Sequence, residues 1–308
     1  MLNESVNSVL TQSWRAFELL ICDDKSDDGS YSFLQNIRDE RVKLFRNLTN
    51  RGLFPTLNHL IKNSSADLIK LWAQDDIMKP NCLEATIAFH RKHPEIAFSY
   101  CGCTEIDAEG KSIDAPFEDH TPEIISPKLH TKIAYYAGSI SSNISNVTIS
   151  KFALDDVGLF REDMKICGDF EMWVRLSEKY CIGRISEKLL KLRVHQGQFS
   201  RNASYYFYHL TEDQEIFRTL RGRLTDDLHA FADHRMKWHR HVYYFNLMLK
   251  LLVRGEFLKA TVFLRELRKI DYVPILFLRW ALVRLRRSVF GDHLPKDNKC
   301  LFICPPGT

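Results

Sequence analysis

Short apolar runs alternate with segments of helical period along most of this chain. Val6, Val9 and Leu10 fall at helical spacing and predict a helix from Glu4 to about Gln12. FELLIC follows as a strand, SDDGS as a turn, and Phe33, Leu34 and Ile37 as the inner face of the next helix. VKLFRN predicts a strand, Leu57, Leu60 and Ile61 a helix, and LIKLWA a further strand. A helix from about Asn81 to Lys92 and a strand at IAFSYC extend the series, and the polar DAEGKSIDAPFEDHTPE reads as a long loop. VTISK resumes as a strand, GDFEMWVRLSEKY as a helix with Phe170, Trp173, Val174 and Leu176 inward, and LLKLRV closes the alternation. Strands separated by helices predict an α/β fold with a doubly wound, mostly parallel sheet. From about Tyr205 the chain becomes helical, aromatic and basic, so a boundary is expected near Ala203, dividing it into 1–203 and 204–308.

Composition narrows the class. Hydrophobic content of 45% and charged content of 27% over 308 residues fit a globular protein and exclude disordered and fibrous chains. A formal net charge of +4 is too small to argue for nucleic acid as a partner. The eight cysteines lack the paired spacing of a zinc site and read as reduced thiols. With neither a secretory leader pattern nor a long uncharged apolar run, the protein is expected to be cytoplasmic.

Two of the strands end on carboxylate pairs, Asp23 and Asp24 after FELLIC, and Asp75 and Asp76 after LIKLWAQ. Open α/β sheets bind ligands beyond the carboxyl ends of their strands. Taken alone, Asp75 and Asp76 serve equally well as the N-cap of the following helix, with Pro80 near its start. A divalent cation bound to a diphosphate, however, needs few protein ligands, because phosphate oxygens and water complete its shell.

The blocks ESVNSVLTQSW, FELLICDDKSDDGS, RNLTNRGLFPTLNHLIKNSSADLIKLWAQDDIMKPNCLE, VGLFRED, GDFEMWVRL and LRVHQGQFS, in that order, resemble family 2 glycosyltransferases of GT-A fold over roughly residues 3 to 200. The resemblance implies a Rossmann-like GT-A domain followed by a C-terminal helical region. It implies that Asp23 and Asp24 contact the nucleotide base. The family's D-x-D metal motif falls on Ala73, Gln74 and Asp75, so Asp75 becomes the metal carboxylate, with Asp76 supporting it, although Ala73 stands where the first acid belongs. Arg51 and Asn58 lie where the family touches diphosphate or orders the loop, and Ser200, with Arg201 beside it, lies where phosphate oxygens are bound. His195 matches a histidine able to reach the metal or diphosphate. Asp169 matches the catalytic base, with Gly168 in place of the acid often found before it. Alone, Asp169 also suits the N-cap of the FEMWVRL helix, and both roles are compatible.

The implied activity is an inverting, metal-dependent hexosyl transfer, with Mg²⁺ or Mn²⁺ as cofactor. A sugar moves from a UDP- or dTDP-sugar to a saccharide or lipid-linked acceptor in cell-surface polysaccharide biosynthesis. The alternative is a non-catalytic nucleotide-sugar-binding or scaffold remnant of the same fold. Two features extend these expectations. In VPILFLRWALVRLRRSVF, Ile275, Leu278, Leu282 and Leu285 share one helical face near Arg279, Arg284, Arg286 and Arg287, which suits peripheral contact with an anionic membrane at its inner face and equally suits packing on the catalytic domain. A sheet of this family is also expected to open on an apolar strand, whereas Met1 and Leu2 lead almost directly into ESVNSVL. Apolar surface is therefore expected beside FELLICDD.

Overall fold

The computed structural model describes residues 1–113, 119–141, 143–195, 197–198 and 205–290, with side chains up to 286. Its elements run α1 (Leu2–Leu10), β1 (Leu19–Asp23), α2 (Ser30–Gln35), β2 (Val42–Arg46), α3 (Leu53–Lys62), β3 (Leu68–Lys70), β4 (Ile77–Met78), α4 (Cys82–Lys92), β5 (Phe98–Ile106), β6 (Ile124–Ile125), α5 (Pro127–Ala137), β7 (Val147–Ser150), α6 (Lys151–Val157), α7 (Gly168–Lys179) and β8 (Ile182–Arg193). Five helices follow: α8 (Tyr206–Arg223), α9 (Asp226–Arg235), α10 (His241–Val253), α11 (Phe257–Ile270) and α12 (Val273–Phe290), with a π turn at Met236–Arg240 before α10. Two compact units result: Met1–His130 with Ser141–Gln196, and Thr131–Ile140 with Gly197–Thr308.

In the first unit, β1 pairs in parallel with β2, and a second sheet has the order β3-β7-β5-β8-β4, with β6 beside β8. The α/β class holds, but the expected mostly parallel pairing does not. Only β1–β2 and β5–β8 are parallel, while β3–β7, β5–β7, β4–β8 and β6–β8 are antiparallel. Strand and helix alternate as far as β3, which β4 follows with no helix between; later, β6 is entered from a loop and β7 from the 3₁₀ turn Ile144–Asn146. Neither needs the same-direction return that a helical crossover enforces. β7 and the first half of β5 are buried throughout, as interior strands should be, whereas β3 shrinks to Leu68–Lys70 and LWA continues as irregular chain into a turn at Gln74 and Asp75. Residues 124–146, to which the hydrophobic pattern assigned no element, form β6, α5 and the 3₁₀ turn.

The helices cover the sheets through stripes of apolar residues. In α3, Phe54, Leu57, Asn58 and Ile61 are buried at i, i+3, i+4 and i+7, and in α7 Phe170, Trp173, Val174 and Ser177 repeat the spacing. Trp173 packs against Phe98 of β5 and Phe160, with ring centroids 5.0 and 6.1 Å apart. Among the described residues no pairing joins the two sheets. Between β1 and β3 lies a cavity of about 650 Å³, walled by Leu19, Leu60, Ile61, Leu68, Trp72 and Ile87.

The second unit is helical. Its core gathers Tyr206 and Leu210 of α8, Tyr244, Phe245 and Leu251 of α10, Phe263 and Leu267 of α11, and Leu276 of α12.

Candidate functional site

Each apolar run ends on its acidic pair at a strand or turn end, and in each pair the two carboxylates part company. After β1, Asp23 is buried, accepts from the Ser26 backbone N–H at 3.3 Å and pairs with Arg46 at 3.2 Å. Asp24 faces the other way and accepts from Asn47 Nδ2, Arg51 N and Gly52 N, each at 2.8 Å. Three donors on one carboxylate fix the 47–52 loop, and Gly52 supplies the positive φ of 86° from which α3 starts. Arg51 therefore meets Asp24 through its backbone, and its side chain is exposed.

After β3, Asp76 is the buried member. Its Oδ2 accepts from Ser145 Oγ at 2.6 Å and its Oδ1 from the Arg193 backbone N–H at 2.9 Å. Burial pushes the Asp76 carboxyl above the usual carboxylate range, opposed by those two hydrogen bonds. Asp75 turns outward, with His195 Nε2 at 3.0 Å from its Oδ2. Its backbone carbonyl accepts from Arg193 Nε at 2.9 Å. Arg193, almost fully buried, also donates to the carbonyls of Asp107 and Ala108 and to Glu4 of α1 at 2.6 Å. One guanidinium thus ties the Asp75–Asp76 turn to the end of β5 and to α1. Ser145 adds a second tie, accepting from the Ala73 N–H at 3.1 Å while donating to Asp76. Neither Arg193 nor Ser145 stood out in the sequence, because every partner lies far away along the chain. One signal was available: Arg193 and His195 are two apart as β8 runs out, a spacing that puts two side chains on one face of an extended chain.

Asp169 lies half-buried in the first turn of α7, its Oδ1 accepting from the Phe170 N–H at 2.7 Å. Gly168 before it has a physical reason, since a Cβ there would lie 2.7 Å from the Phe54 ring. Phe54 stands two residues beyond Gly52, so the loop held by Asp24 and the start of α7 meet through one aromatic side chain. Asn58 completes that junction. It is buried, its Nδ2 donating to the Phe160 carbonyl at 2.8 Å and to Glu162 at 3.0 Å, and its Oδ1 accepting from the Phe160 N–H. The structure therefore brings Asn58 to the VGLFRED segment, its amide bonded to that loop from both ends. Arg175 of α7 holds the same segment by donating to the carbonyls of Val157, Gly158 and Leu159 while pairing with Glu171 at 2.9 Å. Ser200 and Arg201 lie outside the described residues.

Two groups result: Asp24, the 47–52 loop, Phe54 and Asp169 on one side, and Asp75, Asp76, Arg193 and His195 on the other. The Asp75–His195 pair offers one carboxylate oxygen and one imidazole nitrogen, and among the described residues no third acidic, thiol or imidazole group joins them at ligand spacing. Such a donor set fits a hard divalent cation that takes its remaining oxygens from diphosphate and water.

Comparison with known proteins bears on the family and the fold. Residues 1–139 match the profile described as Glycosyl transferase family 2. A Bacillus subtilis protein, the putative glycosyltransferase EpsE, is 28% identical over 67% of this chain and 72% of its own length. An Escherichia coli UDP-Glc:alpha-D-GlcNAc-diphosphoundecaprenol beta-1,3-glucosyltransferase, WfgD, is 34% identical over 32% of this chain and 39% of its own. The S. aureus TarS fragment 1–349, solved in complex with UDP-GlcNAc, superposes with a TM-score of 0.55 at 19% identity. The superposition covers 77% of this chain and 66% of that one, just under two thirds, and places the fold among GT-A glycosyltransferases.

Proposed function

We propose, with residues 1–139 belonging to glycosyl transferase family 2, that this chain transfers a hexose from a UDP- or dTDP-sugar to a saccharide or lipid-linked acceptor, with inversion. The observation that carries the reading is the outward Asp75–His195 pair, seated on the buried Asp76–Ser145–Arg193 network. That arrangement holds two ligand atoms rigidly while spending other residues on the scaffold. Asp75 and His195 would hold Mg²⁺ or Mn²⁺ against the donor diphosphate, where the ion supplies charge neutralisation for the leaving group. Asp23 and Asp24, with the loop they order, belong to the nucleoside end. Arg51, exposed on that loop, and Ser200 are assigned to the phosphates.

In the reaction, the acceptor hydroxyl oxygen attacks the anomeric carbon as its bond to the diphosphate oxygen breaks. The hydroxyl proton passes to the Asp169 carboxylate, and the nucleoside diphosphate leaves with the bonding pair. One displacement with one base inverts the centre. Asp169 sits where the dipole of α7 favours an anion and where Phe54 against Gly168 fixes the helix start. The lipid-linked acceptor named for WfgD and the UDP-sugar bound by TarS support the choice of substrate class. The biological setting proposed is cell-surface polysaccharide assembly at the inner face of the membrane.

Calorimetric titration with UDP and dTDP in the presence of Mn²⁺ tests donor recognition, and absence of binding would sink the proposal. Asp169→Asn should lower transfer by about 10²–10⁴-fold while sparing donor binding. Ala73 in the metal motif favours one other reading, a nucleotide-sugar-binding scaffold. Donor binding without turnover, in the unaltered chain, would select it.

A further inference from the structure

The second unit carries an apolar face that sugar transfer does not use. Along α12, Ile275, Leu278, Leu282 and Leu285 form one stripe and are 45, 59, 54 and 60% exposed. The opposite side of the helix is the packed one: Leu276 is fully buried, and Trp280 and Val283 lie against the core of α8, α10 and α11. The turn from α10 to α11 adds Val253 at 89%, Phe257 at 66% and Leu258 at 81%. α10 and α12 lie side by side, with Phe245 against Phe277 and Trp280 and with Asn246 accepting from Arg284. His241 at the start of α10 meets Asp271 just before α12, and Asn246 farther along meets Arg284, so both helices run toward the same end and the turn at Val253 lies toward the Leu285 end of the stripe. Scattered exposed leucines are ordinary, but a continuous apolar stripe with a protruding tip marks a surface that something covers.

Charge says what covers it. Over residues 241–286 nine Lys or Arg stand against three acidic residues, in a chain whose total is only +4. Those three acids are paired, Glu256 with Lys259, Glu266 with Lys269 and Asp271 with Arg279. Lys250, Arg254, Arg268 and Arg286 are exposed around the apolar residues, and α12 itself contains no acidic residue. A second copy would set this basic rim against an identical one, which like charges oppose. An anionic bilayer answers both features at once, taking the leucines into its acyl boundary and the basic side chains among its headgroups. Among the described residues no helix is long and apolar enough to cross a membrane, so the contact is one of lying on the surface.

We infer that the stripe of α12 and the α10–α11 tip together form a docking face for an anionic lipid surface. The inference sharpens the membrane side of the proposed function and rests on it only for its purpose. It is therefore tested without donor or acceptor. The full chain is mixed with vesicles of phosphatidylcholine, or of phosphatidylcholine with phosphatidylglycerol, and the bound fraction is read by flotation. Binding should favour the anionic vesicles by about tenfold at low salt and fall as salt rises. Replacing Leu258, Leu278 and Leu282 together by Ser should lower that partition by about tenfold or more, and the thermal unfolding midpoint should stay unchanged because all three are exposed. No binding to either vesicle, equal binding to both, or undiminished binding by the triple variant would each overturn the inference. So would a stable dimer of the unaltered chain that the triple variant disperses without either form floating.

Discussion

The turns after β1 and β3 carry the same pair of aspartates and use them in opposite proportions. After β1, Asp24 gives both oxygens to three N–H donors of the chain, and Asp23 is buried against Arg46. After β3, the buried Asp76 alone serves the scaffold, and Asp75 is left outward with His195 as its partner. The first turn shapes a loop, while the second leaves a carboxylate paired with an imidazole. A strand-end acidic pair is thus two positions with separate fates, one facing the core and one facing out, and the sequence motif is the same for either outcome.

The sharpest break between the two turns comes through Arg193. Arg193→Met removes the donors to Asp75 O, Asp107 O, Ala108 O and Glu4, and should cost about 3–5 kcal/mol in urea unfolding. It should leave the Asp24 loop intact, as amide exchange at Arg51 and Gly52 would report.

The next effect sets the pH at which the turns are compared. Burial between Ser99 and Ser150 holds the His90 imidazole down, at about 4 against an ordinary 6.5. The unfolded chain therefore takes up a proton that the folded one refuses, and stability is full above pH 6.5 and lost as pH falls toward 4, by roughly 3 kcal/mol. His90→Gln should flatten that slope in pH-dependent melting, and comparisons made above pH 7 escape it.

The smallest effects separate the turns most directly. Asp24→Ala should cost about 2 kcal/mol, because three N–H groups lose a charged acceptor. Asp75→Asn keeps an amide oxygen for His195, so it should cost about 1 kcal/mol or less and weaken Mn²⁺-dependent UDP binding. If Asp75→Asn destabilises as much as Asp24→Ala, the division of labour between the turns is wrong.

Much of this arrangement was legible in the residues because it depends on local pattern. The run closing on Asp23 and Asp24 does end as a strand there, and α3 and α7 were readable from their periodic buried faces, whereas Asp75 and Asp76 lie beyond β3 and directly before β4. What escaped depends on distance along the chain. Arg193 reads as one more basic residue until its partners, Glu4 and Asp107 among them, arrive from other elements. Asn58 sits on the same stripe as Leu57 and Ile61, and only the return of Phe160 against it shows that its amide is already engaged. Gly168 looked like the loss of an acid, whereas the Phe54 ring occupies the space any side chain would need. β3 was overestimated because Leu71 and Trp72 prolong the apolar run into a turn.

The Phe54 ring gives this layout a mechanical consequence. It stands two residues beyond the Gly52 turn that Asp24 holds, and it fills the space over Gly168, one residue before Asp169. A donor settling on the 47–52 loop would press on the same ring that seats the start of α7, so what happens at one end of that ring would be felt at the other.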